Sequence, residues 1–252
     1  MKMLTQSILI TGCNKGIGLE LVRQLAQHKE RPHFIFATCR NPESATELNQ
    51  IAKSCENVHI FQLDVTDYKS FAHVRDEVSK VVGDLGLNVL FNNAGTSFPD
   101  HTVESLNPEQ LMKAYQVNAI GPAMMAQTFL PLLRQASARR TEESCMSIKR
   151  AAILNMTALT GSLSDNGSGG LYPSRMSRAG THMLTKNLSI ELNKDGILAV
   201  ALHPGWVKTD QGGPNAKWEV DFCVSKFMEL LPNLNAEHSG NVYWCDGRLI
   251  SW

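Results

Sequence analysis

The chain has 252 residues, of which 43% are hydrophobic and 19% charged. This is the size of one α/β domain, and the composition is too apolar for a disordered chain. The 24 basic and 24 acidic residues give a formal net charge of zero, so the basic field that nucleic-acid binding requires is missing. No apolar run approaches the roughly 18 residues of a membrane span. The sequence therefore predicts one domain over residues 1–252 that binds neither nucleic acid nor membrane.

The spacing of the cysteines predicts that their thiols are reduced. They are widely spaced, with no C-x-x-C pair to suggest zinc or redox work: Cys13, Cys39, Cys55, Cys145, Cys223 and Cys245. Residues 1–6 leave no room for a signal peptide before the first apolar run. We therefore expect no metal site and a cytoplasmic location.

Short apolar runs alternate with segments of helical spacing along the chain. The runs are continuous, which is typical of parallel strands that helices cover on both faces. Helical spacing is shown by Leu184, Leu188 and Leu192. The predicted strands, in chain order, are 8–11, 33–39, 58–63, 88–91, 151–155, 198–203 and 242–245. This alternation predicts a single doubly wound, Rossmann-type α/β domain with a seven-stranded parallel sheet.

A glycine-rich turn follows the first strand and opens the first helix, with the sequence Thr11-Gly12-Cys13-Asn14-Lys15-Gly16-Ile17-Gly18. Glycines there allow a tight turn and a close approach of the backbone to a pyrophosphate. The helix N-terminus then offers unpaired N–H groups to that anion. The spacing is G-x-x-x-G-x-G, which differs from the G-x-G-x-x-G of many dinucleotide binders. The turn predicts a dinucleotide site.

Two further motifs follow the fourth and sixth strands: Asn92-Asn93-Ala94-Gly95 and His203-Pro204-Gly205-Trp206-Val207-Lys208-Thr209-Asp210. With these motifs in this order, the whole chain resembles the short-chain dehydrogenase/reductase family. Within that family it is most similar to the carbonyl reductases related to insect Sniffer and bacterial C-factor proteins. The resemblance implies a small-molecule carbonyl or related substrate. By analogy it also implies a homodimer, formed through the helix that carries Arg178 and the long helix 108–133.

The resemblance also implies cofactor contacts. The pyrophosphate contacts fall in the glycine turn, on Gly12, Asn14, Lys15, Gly16, Ile17 and Gly18. The adenine and adenosine ribose contacts fall on Asp64, Val65, Asn93, Ala94 and Gly95. The contacts at the nicotinamide end fall on Arg178, Pro204, Gly205, Val207 and Thr209.

The end of the second strand favours NADP(H) over NAD(H). An NAD-specific site places a carboxylate there to accept a hydrogen bond from the ribose 2′-hydroxyl, whereas this chain has Cys39 and Arg40. The guanidinium of Arg40 suits a 2′-phosphate, and Lys15 adds a second positive charge nearby. The alternative is that Arg40 only points to solvent.

Three of the family's four catalytic side chains are replaced. In the family, a tyrosine delivers a proton, a lysine lowers its pKa and holds the nicotinamide ribose, a serine steadies the oxygen and an asparagine anchors a water relay. The family pattern L-Y-P-Y-R-x-S-K-A puts Ser174 at the tyrosine and Arg178 at the lysine. Alignment over 155–161 puts Ala158 at the serine, and only Asn118 remains. The candidate catalytic residues are therefore Asn118, Ser174 and Arg178.

Other hydroxyl groups could replace the lost ones. Tyr172 is expected just outside its helix, because a proline follows it, and Met176 one turn later cannot lower its pKa. Thr157 is expected to face away from the site, because adjacent strand residues point to opposite faces. Thr160 or Ser162 could reach the site from the loop.

These substitutions should affect cofactor binding and carbonyl reduction differently. Loss of a general acid costs about 10²–10⁴-fold in rate, and loss of an oxyanion donor about 10²–10³-fold. Arg178 keeps a positive charge on the face that carries Ser174. We therefore expect an NADP(H)-binding protein with weak or absent reductase activity. The alternatives are a reductase of activated carbonyls or quinones with another proton source, and a non-redox cyclase or isomerase.

Overall fold

A computed structural model describes residues 4–98, 102–140 and 146–252, so the predicted free thiol of Cys145 lies outside the described residues. The strands form between the helices, as the apolar runs predict. They are β1 (Ser7–Thr11), β2 (Phe34–Cys39), β3 (Val58–Gln62), β4 (Val89–Asn92), β5 (Ala152–Met156), β6 (Leu198–His203), β7 (Val242–Trp244) and β8 (Leu249–Ile250). The first seven correspond to the predicted strands within two residues at each end.

The helices follow the strands as crossover connections. They are α1 (Gly16–Gln27), α2 (Thr46–Ser54), α3 (Phe71–Val82), α4 (Pro108–Tyr115), α5 (Gly121–Ala138), α6 (Tyr172–Glu191) and α7 (Val220–Leu230). A π-helical turn, Gln116–Ile120, joins α4 to α5, and π-helical turns are frequent at functional sites. None of the helices in the described ranges has the length and apolar character needed to cross a bilayer.

The sheet has the order β3-β2-β1-β4-β5-β6-β7-β8. Its first seven strands are all parallel, as predicted, but the predicted total of seven is wrong, because β8 pairs antiparallel with β7. This added strand has only two residues, too few to show a periodic pattern. It forms because the chain folds back through a turn at Gly247, whose φ is 86°. The strand order reverses between β1 and β4, which opens a crevice at the carboxyl ends of the strands.

Apolar cores cover both faces of the sheet, which explains the continuous apolar runs. In β1, the side chains of Ile8 and Ile10 belong to the core that contains α1, α2 and α7. The side chain of Leu9 belongs to the opposite core, with residues of α3 and α5. Successive strand residues thus face opposite helical layers, and all three are buried.

The start of α6 differs from the expectation by one residue. The helix begins at Tyr172, which was expected just outside it. Leu171 precedes the helix in the left-handed region, with φ 48°. That conformation turns the chain sharply enough for Tyr172 to enter the first turn.

Candidate active site

A cleft of about 670 Å³ lies at the carboxyl ends of the strands, within the range of small-molecule and cofactor sites. It brings together every residue predicted to contact the cofactor: Gly12, Asn14, Lys15, Gly16, Ile17, Gly18, Arg40, Asp64, Val65, Asn93, Ala94, Gly95, Arg178, Pro204, Gly205, Val207 and Thr209. Ser174 also lines it, four residues before Arg178 on the same face of α6. Asn118 does not line it.

The glycine turn has the geometry of an anion cradle. Gly12 and Gly16 have φ of 74° and 58°, which other residues adopt only with strain. A Cβ on Gly18 would lie 2.2 Å from the backbone oxygen of Gly12, so only glycine fits there. Helix α1 starts at Gly16, and its N-cap residue Lys15 makes no side-chain cap. The first N–H groups of the helix therefore remain available to an anion in the cleft.

Hydrogen bonds fix the turn against the end of β4. The backbone N–H groups of Asn93 and Ala94 both donate to the hydroxyl of Thr11, each at 3.0 Å. The amide Nδ2 of Asn93 donates to the carbonyl oxygens of Thr11 and Gly12, at 2.8 and 3.3 Å. These contacts hold the two motifs in register across the crevice.

Lys15 forms an ion pair with Asp210, in the loop after β6. Both side chains are largely exposed. The hydrogen bond from Lys15 is the main reason why the pKa of Asp210 lies below its usual value. The pair joins the two walls of the cleft. No local pattern indicated this contact, because Lys15 was expected to face the phosphates of the cofactor and Asp210 had no assigned role.

Arg40 and Asp64 lie at the adenosine end of the cleft. Arg40 is exposed, and no carboxylate of the described residues lies within ion-pair distance of its guanidinium. Burial opposes ionisation of Asp64, but hydrogen bonds from Thr66 and the charges of Lys113 and Arg40 give it a pKa below the usual value. The site thus offers a free guanidinium and, beside it, an ionised carboxylate.

The guanidinium of Arg178 is a buried cation in the cleft. The residue is 5% exposed, and its Nη1 donates to the carbonyl oxygen of Met156 at 2.8 Å. Burial lowers its pKa to about 10, so it stays protonated at neutral pH. No carboxylate in the described part of the chain pairs with it. The hydrogen bond to Met156 uses one of the five N–H donors of the guanidinium, which lines the cleft and so suits a site for hydroxyl or anionic acceptors.

Two glycines make room for this side chain. A Cβ on Gly95 would lie 2.5 Å from Nη2 of Arg178, and one on Gly161 would lie 2.7 Å from Cε1 of His182. His182 is buried beside Arg178, and burial, aided by that charge, lowers the pKa of His182 to about 4. The arginine is therefore packed between the end of β4 and the loop after β5.

The hydroxyl of Ser174 is hydrogen-bonded to that of Thr160 at 2.9 Å. Thr160 thus contacts Ser174 from the loop, but it is itself absent from the described lining of the cleft. The hydroxyl of Ser162 instead donates to the backbone oxygen of Ser251 at 2.6 Å. Tyr172 is absent from the described lining of the cleft. The position aligned with the family's tyrosine therefore holds the aliphatic hydroxyl of Ser174, which is hydrogen-bonded to Thr160.

The end of β5 presents a methyl group and an unpaired hydroxyl. Ala158 lines the cleft at the position aligned with the family's serine, and Thr157 lines it as well. The backbone N–H of Thr157 continues the pairing with β6, donating to the carbonyl oxygen of Leu202 at 2.8 Å, and its hydroxyl is buried, so the expectation that this side chain faces away stays a prediction. The hydroxyl of Thr157 and Nδ1 of His203 are buried without a hydrogen-bond partner among the described residues.

Asn118 lies in the π-helical turn and is fully buried. Its Nδ2 donates to the carbonyl oxygen of Thr96 and to the hydroxyl of Ser177, each at 2.9 Å. Its Oδ1 accepts from the backbone N–H of Thr96, also at 2.9 Å. The side chain therefore ties the loop after β4 to α6, and its part in catalysis stays a prediction.

Sequence reasoning missed several residues that line the cleft. Lys113 on α4 adds a positive charge near Asp64, and no local motif pointed to it. Trp206 also lines the cleft, with its indole N–H donating to the carbonyl oxygen of Gly212 at 2.7 Å. Trp206 was within a recognised motif, so its position beside Gly205 and Val207 could have indicated a lining role.

Comparison with known proteins identifies the class that this fold and cleft define. Residues 6–220 match the model of the short chain dehydrogenase family. The chain therefore belongs to the short-chain dehydrogenase family, and it is an oxidoreductase of the carbonyl reductase type.

Three relatives illustrate the similarity. Carbonyl reductase Sniffer of D. melanogaster is 38% identical with a TM-score of 0.96, over 98% of this chain and 100% of that one. The NADPH-bound carbonyl reductase from chicken fatty liver is 35% identical with a TM-score of 0.94, over 100% and 96%. The C-signal protein of Myxococcus xanthus is 34% identical, over 66% of this chain and 93% of that protein. The resemblance deduced from the three motifs is thus confirmed.

Proposed function

We propose that residues 1–252 form one NADP(H)-binding domain whose reduction of ordinary ketones and aldehydes is weak or lost. The proposal rests on a difference between two sets of residues in the cleft, those expected to bind the cofactor and those expected to catalyse the reduction. The residues suited to a phosphorylated dinucleotide are present and correctly grouped. The positions aligned with the family's proton donor and its supporting serine hold Ser174 and Ala158.

The chain's own residues account for cofactor binding. The glycine turn would hold the pyrophosphate with backbone N–H groups, and the unpaired guanidinium of Arg40 would hold the 2′-phosphate. The free donors of Arg178 would hold the hydroxyls of the nicotinamide ribose, in place of the family's lysine. The NADPH-bound state of the chicken relative supports the choice of cofactor.

Proton delivery is the step that these residues serve poorly. Bound NADPH would supply a hydride, and the protein must then give a proton to the carbonyl oxygen. An aliphatic hydroxyl such as that of Ser174 is a much weaker acid than a phenol whose pKa a lysine lowers. The methyl group of Ala158 offers no hydrogen bond to the developing oxyanion.

A second candidate function is supported by the hydroxyl pair of Ser174 and Thr160. Their 2.9 Å hydrogen bond could pass a proton from water to a substrate oxygen that accepts charge easily. Activated carbonyls and quinones stabilise that charge themselves and depend less on a strong acid. The chain would then be an NADPH-dependent reductase of such compounds.

Two measurements test these proposals. Fluorescence titration should show saturable binding of NADPH, with weaker binding of NADH. NADPH consumption should stay near background with unactivated ketones and aldehydes. Consumption with quinones or activated carbonyls would support the second candidate. Absence of NADPH binding would contradict both, and rapid turnover of an unactivated ketone would contradict the first.

We also infer that the chain forms a homodimer through α4, the following π-helical turn and α6. Large apolar side chains are exposed along these elements: Met112, Tyr115, Ile120, Met176, Met183 and Ile190. The last three recur every seven residues on one face of α6. Helices α4 and α6 pack closely, since a Cβ on Gly180 would lie 3.3 Å from the hydroxyl of Tyr115. The cytoplasmic location stays a prediction.

A further inference from the structure

Two cysteines that are distant in sequence lie next to the turn that follows β6. Cys223 lies on α7, and Cys245 directly follows β7. Both thiols donate to one acceptor, the carbonyl oxygen of Pro204, at 3.1 and 3.5 Å. The two side chains are close enough to change each other's pKa. Neither forms a disulfide.

The two thiols differ in environment. Cys223 is 1% exposed, and the neighbouring thiol of Cys245, together with burial, raises its pKa. Cys245 is only partly buried. The neighbouring thiol of Cys223, aided by the charge of Arg248, lowers the pKa of Cys245 against the opposing effects of burial and Asp246. The more accessible thiol, Cys245, is thus the better nucleophile of the two.

We propose that Cys223 and Cys245 are a modification site at which a small hydroperoxide forms a reversible disulfide. Because both thiols donate to the carbonyl oxygen of Pro204, the sulfur atoms lie near each other before any reaction. Cys245 is the reacting thiol, and Cys223 resolves the product. The formation of this bond does not depend on the proposed NADP(H) binding.

The reaction balances with hydrogen peroxide as the oxidant. The thiolate of Cys245 attacks one peroxide oxygen, the O–O bond breaks, and hydroxide leaves with the electron pair. The sulfenic acid on Cys245 is then attacked by the sulfur of Cys223. The S–S bond forms, the S–O bond breaks, and the thiol proton leaves with the hydroxyl as water. Two thiols are oxidised, and one peroxide is reduced to two waters.

The disulfide would act on the cleft through the Pro204 turn. Pro204 and Gly205 line the cleft, as does Val220 at the start of α7. Oxidation removes both S–H donors from the Pro204 carbonyl and ties α7 covalently to the chain after β7. We expect the turn to shift, and the affinity for NADPH to fall by about threefold or more.

The test treats the purified protein with a small excess of hydrogen peroxide and maps its cysteines by peptide mass spectrometry. We expect a crosslink between the peptides of Cys223 and Cys245, with loss of two hydrogen atoms and reversal by dithiothreitol. NADPH affinity is then titrated in the reduced, oxidised and re-reduced protein. Oxidation of these cysteines only to separate sulfinic acids, or crosslinking to other cysteines, would overturn the proposal.

Single variants separate the two roles. In Cys223→Ser, Cys245 should accumulate a sulfenic acid that dimedone traps, because its resolving thiol is gone. In Cys245→Ser, Cys223 should stay reduced and unlabelled. The matched control is Cys55→Ser, since Cys55 is also a partly buried free thiol, and this variant should crosslink as the wild type does. Equal dimedone labelling of the two test variants would contradict the assigned roles.

The outcomes also separate this proposal from the proposed function. Failure to bind NADPH in the reduced state would contradict the proposed function, while the crosslink would still be measured by mass. A complete crosslink with unchanged NADPH affinity would overturn the link between this site and the cleft. Absence of the crosslink in a protein that binds NADPH would overturn the modification site alone.

Discussion

The hydroxyls of Ser174 and Thr160 form a hydrogen bond of 2.9 Å at the first turn of α6. Ser174 lines the cleft one helical turn before Arg178, and Thr160 contacts it from the loop after β5. Because these are aliphatic hydroxyls, the position that delivers a proton in relatives with the family pattern holds only weak acids here. Under the proposed function, this cleft would bind the cofactor but would lack a strong proton donor.

Restoring the family's side chains should restore carbonyl reduction. The combined variant Ala158→Ser, Ser174→Tyr, Arg178→Lys should raise ketone-dependent NADPH oxidation by about 10²–10⁴-fold, the effect of a general acid. The matched control carries Ser174→Phe with the other two changes, which supplies the ring without the phenol. Equal rates for the two variants would show that the rest of the pocket is not built for ketones.

Removing the guanidinium of Arg40 should change cofactor preference. Arg40→Ala is expected to weaken NADPH binding by about tenfold to a hundredfold, because a hydrogen-bonded ion pair with the 2′-phosphate is lost. NADH binding should be nearly unchanged, since that cofactor lacks the phosphate. Fluorescence titration of both cofactors measures this, with the surface variant Arg75→Ala as the control. An equal loss for NADPH and NADH would contradict the assignment.

Adding one methyl group at Gly18 should disrupt the cradle. The new Cβ of Gly18→Ala would lie 2.2 Å from the oxygen of Gly12, so the turn must move. We expect a loss of about 1–3 kcal/mol in the free energy of unfolding, measured in urea, and severe loss of NADPH affinity. The control is Gly167→Ala, whose Cβ meets nothing within 4 Å. Wild-type stability and affinity in Gly18→Ala would rule out this role.

The buried histidines should make the protein less stable in mild acid. Burial, with the charge of Arg178, lowers the pKa of both His182 and His203 to about 4, while an unfolded histidine has a pKa of about 6.5. Between these values the unfolded chain binds protons that the folded chain excludes. The free energy of unfolding therefore falls as the pH falls, by about 1.4 kcal/mol per pH unit for each histidine.

Urea unfolding between about pH 7 and 5 measures this dependence. His182→Gln and His203→Gln should each reduce the slope of the unfolding free energy against pH. His73→Gln replaces an exposed histidine on α3 and should leave the slope as it is. Identical slopes in the wild type and both buried-site variants would show that these histidines are not held neutral.

Charges placed on the apolar face of α6 should separate the proposed homodimer. Met183→Glu with Ile190→Glu would bury two carboxylates against a second copy of the chain, which is unfavourable. We expect analytical ultracentrifugation to give half the wild-type mass. Leu163→Glu changes a side chain that is 78% exposed but outside α4 and α6, and should leave the mass unchanged. A monomeric wild-type protein would contradict the dimer directly.

The sequence by itself determined the fold class and the location of the cofactor cleft. The glycine turn and the Asn93 and Pro204 motifs each follow a predicted parallel strand, and parallel strands end at one edge of a sheet. The position of each motif directly after a strand therefore predicted that the three motifs would lie together in the folded protein. The resemblance to the family pattern indicated Ser174 and Arg178 as candidates, and helical spacing puts these two residues on one face.

Only the tertiary structure decided the contacts between distant segments. The hydrogen bond of Thr160 to Ser174, the Lys15–Asp210 ion pair and the meeting of Cys223 with Cys245 join residues from different loops and helices. Strand β8 likewise depends on its partner β7. No local pattern encodes such pairings, since they arise from how the crossover helices and loops pack once the sheet has formed.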